Sequence, residues 1–283
     1  NISVAAGATL TINNATLQTG GTITSNANII AMDGTLELNG TSIQSIGANT
    51  FQGNALGHLV INNNTGVILN GILDIYGSLT YGNNGVDLKT NNLLTLKSTL
   101  ANTAWIGNMT GKTIEGDVTV ERYIPNHSKA WQFLSVPVTG LQTIHEAWQD
   151  TANFANQNRF PGFGTMLTSN LPGALALGFD VYTAPGPSIK VYNSNTGGYI
   201  GVPSTKTTAI SNPRGYMVFV RGDRSVTAHN QPATSTVLRT KGRLYTPADA
   251  PPVTTVQAGR FESVGNPYAS AIDYSQVIKS GGV

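Results

Sequence analysis

Few residues in this chain have the type and spacing that chemistry needs. His145-Glu146 opens like a zinc-binding helix, in which two histidines four residues apart hold the metal and the glutamate serves as base. The residue four positions after His145 is Gln149, so the second ligand is missing. His58, His127 and His229 lie far from one another and read as surface residues. A glycosidase needs two carboxylates roughly 5–9.5 Å apart. Asp33 and Glu37 are the nearest candidates, yet each also reads as a turn or solvated strand residue. A polysaccharide lyase needs clustered Asp for calcium and an Arg or Lys base. The acids of the first 111 residues, Asp33, Glu37, Asp74 and Asp87, are scattered, and that segment has no Arg. No Ser sits in a nucleophile elbow, and no glycine-rich loop carries a phosphate-binding Lys. With no Cys, disulfides, thiolate metal sites and Cys nucleophiles are excluded together. No catalytic residue, metal or cofactor is expected.

Binding chemistry has more candidates. Arg239, Lys241 and Arg243 alternate on one strand face, and Arg214, Arg221 and Arg224 do so more loosely. Solvated faces explain both groups, and a patch for acidic polysaccharide is the alternative. Aromatic residues crowd the second half, where they fill a core or form a platform that stacks on sugar rings. Tyr199, after Gly197-Gly198 in a tip loop, is the candidate glycan contact.

The elements that must position these residues divide sharply. Of 283 residues only 11% are charged, against roughly 25% in a typical soluble domain. Residues 1–111 hold two Lys, no Arg, four acids and 18 Asn, so most of the charge lies beyond them. The skew places a boundary near 111–117 and predicts two domains, 1–115 and 116–283. A net charge of +2 gives no argument for nucleic acid. No apolar run approaches the ~20 residues that span a bilayer.

The first domain alternates apolar residues at i and i+2 in short runs that end at Gly or Asn, as in Leu36-Leu38, Leu59-Ile61, Leu73-Ile75 and Leu94-Leu96. A parallel β-solenoid or an antiparallel meander absorbs such a pattern. Hairpins favour cross-strand charge pairs and aromatics, which are scarce here. Stacked coils favour Asn, Thr and Ser, because like charges repel along a ladder whereas Asn side chains can bond along it. The expectation is an all-β chain that opens with a right-handed parallel β-helix of about five coils, each roughly 20 residues. In the second domain, strands are predicted at 118–123, 131–136, 179–182, 189–192, 215–221, 237–240 and 261–264. Their Pro/Gly/Asn loops suggest a β-sandwich or jelly roll. Two short helices are added, one over about 141–154 and one capped by Asp273 that carries Val277 and Ile278.

Leu59–Ser98 resembles the repeats of large secreted Bacteroidota surface proteins. Four later segments resemble, in order, the β segment that follows in those proteins: GDVTVERYIPN at 116–126, AWQFLSVPV at 130–138, GYMVFVRGD at 215–223 and GNPYASAID at 265–273. The resemblance implies export by the type IX route and an extracellular or cell-surface location. It also implies that the chain is a fragment or processed piece of a longer protein. That group carries O-glycans on Asp-Ser/Thr-small apolar triplets, a form that Asp150-Thr151-Ala152 fits, so Thr151 is a candidate attachment site.

Taken together, these features predict a non-enzymatic structural or adhesive surface protein. A carbohydrate-binding or polysaccharide-degrading β-helix protein is the alternative. The partners expected are copies of itself and surface glycans. Asn1-Ile2-Ser3-Val4 enters the repeat without a polar cap, which makes Ile2 and Val4 a candidate assembly edge.

Overall fold

A computed structural model of the protein describes residues 1–152, 157–182, 186–247, 249 and 255–276. It is almost entirely β, with 39% strand and 3% helix, and about six turns form a β-solenoid. The meander alternative is thereby excluded. The first-half strands are β1 (Ile2–Ser3), β2 (Leu10–Thr11), β3 (Thr16–Thr19), β4 (Ile23–Thr24), β5 (Ile29–Leu38), β6 (Gln44–Gly47), β7 (Phe51–Ile61), β8 (Val67–Asn70), β9 (Leu73–Tyr81), β10 (Asp87–Lys89), β11 (Leu94–Leu96), β12 (Trp105–Ile106) and β13 (Thr113–Glu115). All of their pairings are parallel.

Register makes the stack visible. Leu17 lies opposite Leu36, Leu36 opposite Leu59, and Leu59 opposite Leu79. On the facing sheet, Val67 aligns with Leu88 and Leu88 with Ile114. Coils therefore span 19 residues (17 to 36) to 26 residues (88 to 114). Leu36, Leu59, Leu79 and Leu88 are fully buried. Burying each such side chain contributes roughly 1.5–3 kcal/mol.

Asparagine does not form the side-chain ladder that the composition suggests. Asn14, Asn49, Asn91 and Asn92 instead take positive φ at the corners, and Asn54 does so within β7, a conformation Asn tolerates better than most residues. Other amides bind the next coil's backbone or corner side chains. Asn63 is fully buried; its Nδ2 donates to Ser42 O and Gln44 Oε1, and its Oδ1 accepts from Thr65 and Gly66. Gln44 Nε2 in turn donates to Thr19 O and Gly21 O, so one polar corner is satisfied across three coils.

Gly34, Gly57 and Gly77 sit where β5, β7 and β9 shift register. A Cβ on Gly57 would lie 2.6 Å from the carbonyl oxygens of Gly34 and Met32. Only glycine permits that approach of one coil to the next.

The second half adds β14 (Asp117–Ile124), β15 (Ala130–Leu134), β16 (Val138–Thr139), α1 (Ile144–Trp148), β17 (Ile189–Asn193), β18 (Gly198–Gly201), β19 (Tyr216–Val220) and β20 (Thr236–Leu244). Where the sequence suggests a separate sandwich, these strands divide between two sheets of different origin. β14 is the solenoid's next rung, parallel to β11 with Leu94 opposite Val118. On its other edge β14 runs antiparallel to β20, from Asp117 opposite Arg243 to Ile124 opposite Thr236, and β16 follows β20. This rung accounts for about six turns where about five were expected. The remaining strands form an antiparallel sheet in the order β15-β19-β17-β18.

The predicted segments 179–182 and 261–264 are not strands. Asp180 is drawn into a buried polar cluster rather than a ladder. The long helix shrinks to five residues between a Thr143–Glu146 capping box and left-handed Asp150 and Thr151, both at φ 53°. The last helix is a 3-10 turn over Tyr274–Gln276, with Asp273 accepting from Ser275 N at 2.9 Å. Phe154, Val277 and Ile278 lie outside the described residues.

Candidate functional site

The four-stranded sheet has two apolar faces, and one is exposed. Ile189, Tyr216, Val218 and Val220 are buried on the inner face, where Tyr216 meets Trp148 edge-on at 5.4 Å. Strand alternation sends Trp131, Phe133, Met217, Phe219, Lys190 and Tyr192 to the opposite face. Pairing brings Trp131 opposite Phe219, Phe133 opposite Met217, Met217 opposite Lys190, and Tyr192 opposite Tyr199.

These rings touch in two groups. Trp131 and Phe219 lie 5.3 Å apart edge to face, with the Lys190 ammonium 4.7 Å from the Trp131 ring. Phe133, Tyr199 and Tyr192 form a chain with centroid distances of 5.9 and 5.2 Å. Trp131, Phe133 and Tyr199 are 39%, 69% and 36% exposed. These exposed, mutually packed rings form an apolar patch on the sheet. Tyr199, the predicted contact, lies within it. The sequence alone does not separate its partners from core fillers, because an apolar i, i+2 pattern on both faces does not say which face is covered. The signal that was available is the Lys190-x-Tyr192 alternation, which places a cation among the rings.

Buried charges pack beside this sheet. Arg224 is fully buried; its Nη2 and Nη1 donate to Asp180 Oδ1 and Oδ2 at 2.6 and 2.9 Å. Arg224 also donates to Gln157 O and Thr165 O, and Asp180 accepts from Leu167 N and Gln149 Nε2. Arg221 stacks on Tyr182 at 4.5 Å and on Phe219 at 5.0 Å. Burial lowers the Arg221 pKa, partly offset by its bond to Tyr182 and the charge of Asp180.

The two arginine groups are therefore not open basic patches. Arg239 pairs with Asp150 at 2.7 Å and lies 4.1 Å from the Phe163 ring, while Arg243 pairs with Asp249 at 2.7 Å. Arg214 pairs with Glu262 at 3.3 Å. Lys241 is exposed, and its backbone N donates to Gln142. Sequence spacing read Arg224 as solvated because its partner Asp180 lies 44 residues away.

The other sequence candidates are placed as follows. Thr151 Oγ1 accepts from Arg159 at 2.9 Å beside the buried Asp150 carboxylate. Burial raises the Asp150 pKa, with the bond and charge of Arg239 opposing. Ile2 pairs with Ile23 and Val4 N donates to Thr24 O, both half-buried in the first coil. Glu37 is bound by Gln18 and Asn62, and Asp87 by Thr113, on different sheets of the solenoid. His145 Nδ1 lies 3.3 Å from Gln149 Oε1, the residue standing where a zinc helix has its second histidine. Among the described residues, no three His, Asp or Glu side chains gather as metal ligands. No described helix is long and apolar enough to cross a membrane.

No protein-family model matches this chain, and no curated protein and no solved structure is significantly similar to it.

Proposed function

We propose that this chain is a non-enzymatic adhesive module of an extracellular or cell-surface protein. In this reading the solenoid is a rigid stem, and the exposed face of the four-stranded sheet binds a glycan by ring stacking. One observation carries the reading: Trp131, Phe133 and Tyr199 share a sheet face and remain exposed, with Lys190 among them.

Pyranose rings present flat C–H faces edged by hydroxyls, which suit flat aromatic rings beside a hydrogen-bond donor. An aromatic side chain offers roughly 150–250 Å², so a sugar that covers the part left open on rings 36–69% exposed removes about 80 Å² from water. At about 25 cal/mol/Å² this contributes ~2 kcal/mol per ring, or ~30-fold in affinity. A charge-poor surface rich in Asn and Thr, and the resemblance of Leu59–Ser98 to secreted repeats, support the extracellular placement.

A glycan array probed with the parent chain, Phe133→Ala and Tyr199→Ala tests the reading. The expected result is binding by the parent that each variant weakens at least tenfold. Binding that both variants leave intact, or no binding by the parent, refutes it.

A further inference from the structure

We infer that the ligand is a neutral linear oligosaccharide several units long, whose chain runs from the sheet face into a cleft beside residues 266–271. This inference rests on the glycan reading above and specifies its ligand.

Phe133 belongs to both places. It is the most exposed ring of the sheet face, and it also lines a cavity of about 470 Å³. Trp105, 45% exposed, and Tyr268 line that cavity and also a neighbouring one of about 610 Å³. Residues 268–271 line both cavities, and Asn266 lines the smaller. Four bonds hold this segment: Ile106 N to Ala269 O at 2.8 Å, Ser135 Oγ to Asn266 O at 2.7 Å, Asn266 Nδ2 to Ser270 O at 2.6 Å, and Tyr268 N to Asn266 Oδ1 at 2.9 Å. Tyr245 extends the row of rings, 6.0 Å from Tyr268.

Rings thus recur from Tyr199 through Phe133 and Trp105 to Tyr268, with amide and hydroxyl groups between them. A polymer of sugar rings repeats the same alternation of apolar faces and polar edges, whereas a single terminal sugar would occupy one ring alone. Both volumes fall in the range of small-ligand sites. Charge selects the ligand further. Among the described residues the larger cavity is lined by no charged side chain, and the smaller has Arg122 and a Glu121 already paired with Lys97 at 2.6 Å. A chain with a carboxylate on every unit would meet Lys190 and Arg122 but no cation along the described lining of the larger cavity.

The test uses the full chain with cello-, laminari-, xylo- and manno-oligosaccharides from biose to hexaose, and oligogalacturonate as the anionic series. Isothermal titration should give, for one neutral series, a hexaose that binds at least about tenfold tighter than the biose. Trp105→Ala should remove that gain and leave biose affinity within about twofold, while Phe133→Ala weakens both. Trp105→Phe should retain the gain. Ala271→Arg, an exposed position lining both cavities, should remove it without touching the sheet face. Equal affinity for biose and hexaose, indifference of the hexaose to Trp105→Ala and Ala271→Arg, or binding of oligogalacturonate alone would each overturn the inference while glycan binding stands. Binding of no series would sink both.

Discussion

Replacing Asp180 with Ala would leave the Arg224 guanidinium sealed inside the protein without its counter-ion. Arg224 has no exposed surface, and two of its four hydrogen bonds end on Asp180. Removing one partner of a buried pair costs about 3–5 kcal/mol. Leu167 N and Gln149 Nε2 lose the same acceptor, at about 1 kcal/mol each where water does not replace it. The expected loss is therefore at the upper end, about 5 kcal/mol, set against total stabilities of roughly 5–15 kcal/mol. Removing both charges, as in Asp180→Leu with Arg224→Met, should cost far less than the single change, because no orphan charge remains. A chain of stacked coils need not unfold in one step, so a global midpoint is a poor reporter. Native-state hydrogen exchange is better suited: amides of 165–168 and 216–220 should lose protection in Asp180→Ala, while those of 59–61 keep theirs. A loss below about 1 kcal/mol, or a double variant as unstable as the single, would refute the assignment of this pair as the clamp that joins residues 149–180 to Arg224.

Three further outcomes are expected. Gly57→Ala places a Cβ against the Gly34 and Met32 carbonyls, so urea unfolding of the solenoid should shift by about 1–3 kcal/mol, and an unchanged midpoint would count against coil-to-coil contact there. Phe133→Ala should leave stability within about 0.5 kcal/mol by the same assay, since its ring is mostly exposed, and a larger loss would mark it as a core residue. For Asp223, burial raises the pKa, but bonds from Ser225, Gly162 and Thr234 outweigh it and hold the carboxyl below the usual range. Its contribution is thus present above the ordinary carboxylate value and lost as pH falls through the lower folded value, whereas Asp150, raised by burial, contributes below the ordinary value and loses that as pH rises. Unfolding midpoints taken from roughly pH 2 to 6 should flatten on the acid side in Asp223→Asn, and a profile parallel to the parent's would refute the shift.

The solenoid was legible because its signal is local. Leu59-Ile61, Leu73-Ile75 and Leu94-Leu96 each fall on a strand, since alternation and turn residues act within five or six positions. The role of Asn was not legible, because backbone corners and side-chain ladders call for the same residue. Beyond residue 116 the strands at 118–123, 131–136, 189–192, 215–221 and 237–240 could be read, but not their partners. That β20 joins the solenoid's sheet depends on pairing across more than a hundred residues, which no spacing encodes. For the same reason Arg224 looked solvated, and the rings around Tyr199 looked like core.

The direction of one strand closes the stack on one sheet. A stack of parallel coils is a self-templating polymer: each finished rung presents an edge on which another identical rung can form. At β14 the next strand arrives reversed, and an antiparallel edge alternates narrow and wide bonded pairs that do not match a following parallel coil. β20 therefore closes this sheet to a further parallel rung after about six turns. On this sheet the stack is thus closed by a single strand reversal rather than by the repeats themselves, and extra coils inserted before β14 would lengthen the solenoid without altering the strands that follow it.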